Sequence, residues 1–128
     1  MEDNWSLIFA DTYAQKYEKS LIIGYNLDPS FLGGGRRQLD WKIASLREVQ
    51  KKCNEHGYTF CLFLGSTIQP LLDFVNTLDC VACVTDFFPL HLPKKWNEEF
   101  LRETKSAFFV VDSHNIVPCH QASNKQEF

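Results

Sequence analysis

Four short runs of mostly apolar residues, separated by stretches of helical periodicity, constrain this chain more than anything else in it. The runs are Leu21-Ile22-Ile23-Gly24-Tyr25, Tyr58 to Leu64, Cys80 to Thr85, and Ala107 to Val111. A strand with no polar face is one covered on both faces, as in a parallel sheet. Between the runs, Leu39, Ile43, Leu46, Val49 and Cys53 mark one face of a long helix that Gly57 ends. Thr67 can cap a second helix, with Ile68, Leu71, Leu72, Val75 and Leu78 on its apolar face. Pro93 suits the first turn of a third, which carries Trp96, Phe100 and Leu101.

Strands alternating with helices of this length form right-handed crossovers and a parallel sheet covered on both sides. The expected fold is therefore α/β: a Rossmann-like, doubly wound parallel sheet. Residues 1–111 read as that domain, and residues 112–128, polar and Pro-containing, as the start of a linker. The stretch from Asn26 to Gly35, with Asp28-Pro29 and three consecutive Gly, reads as a loop. Doubly wound sheets usually open with a strand, often the central one. This chain opens instead with a helical pattern from Asn4 to about Lys19, capped by Asp3 or Asn4 and carrying Trp5, Ile8, Phe9, Tyr13 and Tyr17. The expectation is a sheet without its first strand, in which the strands beginning near Leu21 and near Cys80 flank a gap.

Composition narrows the partners. The net charge is −3 and the pI about 5.8, so the basic footprint of a domain that grips nucleic acid by itself is missing. No apolar run approaches the ~20 residues of a membrane span, so no membrane partner is expected. The acidic, polar opening Met1-Glu2-Asp3-Asn4-Trp5 resembles neither a signal peptide nor a transit peptide. Five Cys, an odd number set mostly in apolar runs, read as reduced thiols of an intracellular protein. Cys80 and Cys83 form a C-x-x-C, but on a strand residues three apart point to opposite faces and cannot share a metal. His114, Cys119 and His120 lack a fourth ligand at conventional zinc spacing. No metal is expected.

Several words of the sequence resemble a known family. Asp3-Asn4-Trp5, Arg37-Gln38, Thr85-Asp86-Phe87-Phe88-Pro89-Leu90-His91 followed by Trp96, and Val111-Asp112-Ser113-His114-Asn115-Ile116-Val117-Pro118 are similar to segments of the N-terminal α/β domain of class II DNA photolyases. The likeness continues through Ala122 to Phe128, and departs from the family at Phe88, where it has Ser, and at His91, where it has Arg. The resemblance implies an α/β domain bordering a light-harvesting antenna pigment, possible types including a deazaflavin. It implies a separate helical domain that binds FAD and the cyclobutane pyrimidine dimer, so that damaged DNA is met only through that domain. This chain alone is then expected to be inactive as a lyase. Two other readings stay open: a cryptochrome-like photoreceptor domain, and a non-catalytic nucleotide-binding or interaction module.

Ligands of open α/β sheets bind beyond the carboxyl ends of the strands. The antenna candidates there are Asn26, Asp86, Phe87, Asp112 and His114. Gly35, Arg36 and Arg37 place flexible backbone and two guanidiniums at a helix N-terminus, which suits an anion. The charge balance generates a first prediction. Fluorescence anisotropy with undamaged duplex at near-physiological salt should give no submicromolar binding, and a steep salt slope would reveal a local basic patch.

Overall fold

A computed structural model describes residues 3–122. Asn4 opens the first helix, α1 (Trp5–Lys16), its side chain accepting from Leu7 N at 2.7 Å. The helix stops short of Lys19 because Glu18 takes a left-handed conformation, φ 53°. Four strands alternating with three helices follow: β1 (Ile22–Leu27), α2 (Arg36–Glu55), β2 (Thr59–Leu64), α3 (Gln69–Thr77), β3 (Ala82–Asp86), α4 (His91–Glu103) and β4 (Ala107–Val111). A 3-10 turn covers Phe31–Gly33, and a single helical turn, α5 (Cys119–Ala122), closes the described chain. Gly57, at φ 75°, makes the turn out of α2 that a side chain would strain. Pro70 sits in the first turn of α3, where its missing N–H is not needed.

The strands pair as two separate parallel ladders. β1 lies on β2 from Ile22↔Thr59 to Leu27↔Leu64, and β3 lies on β4 from Ala82↔Ala107 to Asp86↔Val111. Among the described residues no backbone hydrogen bond joins β1 to β3. The expected gap between these two strands is present.

Helices cover both faces of each ladder. Phe9 and Tyr13 of α1 pack on Phe109 of β4, with ring centroids 5.2 and 5.4 Å apart. On the opposite face Phe100 of α4 meets the adjacent Phe108 at 5.2 Å, and Phe74 of α3 meets Phe63 of β2 at 5.0 Å. Leu72, Val75 and Phe100 form the buried cluster, with Ile68, Leu71, Cys80, Cys83 and Phe108 packed against it. The cluster joins the halves: α3 descends from β2, and Phe100 and Phe108 belong to the β3–β4 side.

Three expectations change. Asn26 and Leu27 belong to β1 rather than to the loop, because they pair with Phe63 and Leu64. The helix that Thr67 was to cap begins at Gln69 with Ile68 at its N-cap, Thr67 Oγ1 lying 3.4 Å from Gln69 N. The apolar runs are mostly half-buried, and of all strand residues only Leu27 is fully buried. An open inner edge on β1 and β3 accounts for that. The accessible surface of 9699 Å² exceeds the roughly 7,000 Å² of a closed monomer of this mass.

Such a thin core makes each buried ring count. Phe100→Ala should cost about 3–5 kcal/mol, read as a fall in the urea midpoint, because it empties the cluster that ties the two ladders together. The neighbouring Leu101 is exposed, and its replacement by Ala should stay within about 0.5 kcal/mol.

Candidate functional site

The two ladders enclose a cavity of about 940 Å³ that runs along the inner edges of β1 and β3, from Leu21 and Cys80 at one end to Asn26 and Thr85 at the other. Its walls are mainly apolar. Aromatic side chains gather at the carboxyl end. Phe31, in the turn after β1, meets Trp96 of α4 at 5.9 Å between centroids, and Lys42 of α2 holds its ammonium 5.2 Å from the Phe31 ring. Phe88, following β3, lines the same cavity and takes His114 edge-on at 5.8 Å.

Asn26 stands at this rim with a divided amide. Its Nδ2 donates to Gly65 O at 3.2 Å and to Thr67 O at 2.8 Å, tying the end of β1 to the loop before α3. Its Oδ1 is buried and has no hydrogen-bond partner. A buried acceptor without a donor forfeits about 1–3 kcal/mol of hydration. A ligand N–H delivered here would restore it.

Asp86 is held in a knot instead. Its Oδ1 accepts from Ser6 Oγ at 3.1 Å and from Ser113 N at 3.2 Å, while the Ser6 and Ser113 hydroxyls lie 2.9 Å apart. Ser6 N also donates to Ser113 Oγ at 3.0 Å. The knot anchors the start of α1 to the ends of β3 and β4. A smaller cavity of about 440 Å³ beside it is lined by Asp86, His114, Asn4 and Ile23.

Asp112 is more fully committed. Its carboxylate accepts from Cys119 N at 3.0 Å, from Asn115 Nδ2 at 2.9 and 3.0 Å, and from the backbone N–H of His114 and Asn115. These donors, Cys119 N foremost, hold the carboxyl down to about 2. Phe87 N bonds to Val111 O at 2.7 Å, and its side chain lines neither cavity.

The structure therefore brings Asn26 to the large cavity, sets Asp86 and His114 at the smaller one, and uses Asp112 as a turn clamp. Gly35 is the N-cap of α2, Arg36 lies 3.8 Å from Asp40 with its side chain almost wholly exposed, and neither Arg36 nor Arg37 lines a cavity described above. Phe31, Lys42, Phe88 and Trp96 are the residues the sequence reading did not assign to a site. The one available signal was Phe31, a large ring isolated in a Gly-rich loop.

The C-x-x-C requires a correction in its reasoning. Asp79 turns with φ 51° and Cys80 precedes β3, so Cys80 and Cys83 both face the buried cluster rather than opposite sides. Burial raises the Cys83 thiol to about 11, with Cys80 beside it adding to the rise. No group of three or more His, Cys, Asp or Glu among the described residues is arranged to hold a metal. His120 and the segment from Ser123 to Phe128 lie outside the described side chains. No helix among the described residues is long and apolar enough to cross a membrane.

Comparisons with known proteins agree with this architecture. The family model described as DNA photolyase matches residues 1–128. A deoxyribodipyrimidine photo-lyase of Potorous tridactylus is 36% identical over 130 residues, covering 100% of this chain and 24% of that protein. One of Arabidopsis thaliana is 29% identical over 130 residues, covering 100% and 26%. The chain spans about a quarter of the length of these relatives. Among solved structures, a universal stress protein in complex with cAMP matches with TM-score 0.54 at 14% identity, over 88% of this chain and 92% of that one. That likeness concerns the fold.

The Asp112 clamp generates a pH prediction. Its folded pKa lies below the unfolded carboxylate value of about 3.9. Its contribution is thus complete above pH ~4 and lost as the pH falls through ~2. Carboxyl NMR should place the titration near 2, with the amides of His114, Asn115 and Cys119 losing protection over the same interval.

Proposed function

The chain belongs to the DNA photolyase family, and from that premise we propose that it is the antenna-side α/β portion of a light-driven enzyme that repairs cyclobutane pyrimidine dimers in DNA. In this reading the redox flavin and the damaged DNA are held by the remainder of a longer polypeptide. Net charge −3 supports that division, since this portion brings no basic stripe to the duplex.

The observation that carries the antenna role is the rim of the large cavity, where Asn26 Oδ1 lacks a donor beside Phe31, Phe88 and Trp96. A planar heteroaromatic pigment of the deazaflavin type suits those residues. Its faces would stack on the rings, a ring N–H would satisfy Asn26, and Lys42 would attract an anionic edge. When bound, such a pigment absorbs light and passes the excitation to the flavin. The chain's own part is to exclude water, fix the ring plane and hold the orienting hydrogen bond.

Titration of the chain with a 5-deazaflavin, followed by pigment fluorescence, tests this. Saturable binding is expected, weakened about tenfold by Asn26→Leu, the loss of one hydrogen bond worth ~1.4 kcal/mol. Trp96→Ala should weaken it as well. Absence of saturable binding, or indifference to both substitutions, would remove the antenna reading. Supplied with FAD, photoreduced and illuminated with dimer-containing oligonucleotide, the chain by itself should give no turnover.

A further inference from the structure

The helix α2 divides its surface between two roles. Leu39, Ile43, Leu46 and Val49 are half-buried and Cys53 is buried, so one face packs on the sheet. The opposite face carries Arg36, Arg37, Arg47, Lys51 and Lys52, all exposed. With Lys42, which turns to the Phe31 ring, α2 holds six of the chain's 13 Lys and Arg but only three of its 16 Asp and Glu. The helix is therefore +3, and the remainder of the chain −6. Among the described residues one ion pair touches α2, Arg36 with Asp40 at 3.8 Å. Arg37, Arg47, Lys51 and Lys52 have no carboxylate partner there.

Trp41 stands on this outer face, 73% exposed. Arg37 lies one turn before it, and the small, exposed Ala44 follows three residues later, leaving low ground beside the ring. Arg47 comes three residues after Ala44 and Lys51 four after Arg47, so ring, small residue and cations form one continuous strip. A lone exposed aliphatic residue is ordinary on a protein surface. An exposed Trp among unpaired Arg side chains has instead the composition of an interface, where those two residue types carry much of the binding energy. The exposed acids Asp40, Glu48 and Glu55 interrupt the strip. A nucleic-acid backbone, with a phosphate at every step, would be forced against them. A polypeptide can set its carboxylates at the cations and its N–H groups at the acids.

We infer that the outer face of α2 is a docking surface for an acidic segment of another polypeptide. Its carboxylates pair with Arg37, Arg47 and Lys51, and one apolar side chain covers Trp41 over Ala44. The guanidiniums of Arg37 and Arg47 offer planar forks that match carboxylates. The remainder of this chain, at −6, repels such a segment, which steers it to α2. None of Arg37, Trp41, Arg47 and Lys51 lines the large cavity, so the inference does not depend on the pigment reading.

The probe is an end-blocked, fluorescently labelled peptide of alternating Asp and Glu with a central Leu, titrated with the full chain and followed by anisotropy. Saturable binding of one peptide per chain is expected, weakening as salt rises, with amide NMR shifts confined to α2. Trp41→Ala, and separately Arg47→Glu with Lys51→Glu, should each weaken it about tenfold or more, whereas Trp41→Phe retains most of it. These positions are exposed, and an unchanged urea midpoint shows that the fold is intact. Absence of saturable binding up to about 1 mM peptide, indifference to both sets of substitutions, or shifts centred elsewhere would overturn the inference. So would equal or tighter binding of single-stranded oligonucleotide or of phosphatidylserine vesicles, since the surface would then recognise phosphate. Self-association of the chain that buries Trp41 without peptide would make a second copy the occupant, with the same consequence.

Discussion

Backbone hydrogen bonding governs this molecule through its edges more than through its faces. Helices can cover the faces of a sheet, but only another strand can complete the edge of one. β1 and β3 each find one strand partner, and the halves of the sheet are thereafter held together by helices. α3 carries the chain from β2 across to β3, and its Leu72 and Val75 reach Phe100 on the other side. At the carboxyl end, the Ser6–Asp86–Ser113 knot fastens α1 to β3 and β4. With the middle of the sheet open, the buried apolar side chains among the described residues are few: Leu27, Cys53, Leu72, Val75 and Phe100.

The same question of completed and uncompleted bonding sorts the polar groups where ligands of such folds bind. Asp86, through Oδ1, accepts from a hydroxyl and a backbone N–H of its own chain, and Asp112 from backbone N–H groups and the Asn115 amide. Carboxylates used in this way fasten loops. Asn26 differs, since its amide nitrogen is doubly engaged while its oxygen is buried and alone. Buried polar groups are almost always satisfied, so the exception points to where a donor from elsewhere belongs. Among the polar groups at this end of the sheet, the unpartnered Asn26 oxygen beside Phe31 and Trp96, rather than the more conspicuous acids, is what the proposed function rests on.

Much of this was legible in the residues. Unbroken apolar runs at Leu21, Tyr58, Cys80 and Ala107 implied parallel strands, since an alternating pattern would be needed to face water. The fourth run, Ala107 to Val111, agrees with β4 at both ends. Family words at both ends of the chain pointed to DNA photolyases, as the family match over residues 1–128 bears out.

What the sequence by itself determined is local: which segments are helix or strand, and that the strands are parallel. Periodicity and apolar runs encode these because each depends on neighbours a few residues away. Tertiary structure alone decided the ends of the strands and the site. Asn26 joins β1 only because Phe63 lies opposite it, a pairing across 37 residues. Cys80 and Cys83 face one core because Asp79 turns the backbone just before β3 begins. Phe31, Lys42 and Trp96 converge from a loop and two helices on opposite faces of the sheet. Such convergence is a property of packing, and no spacing along the chain records it.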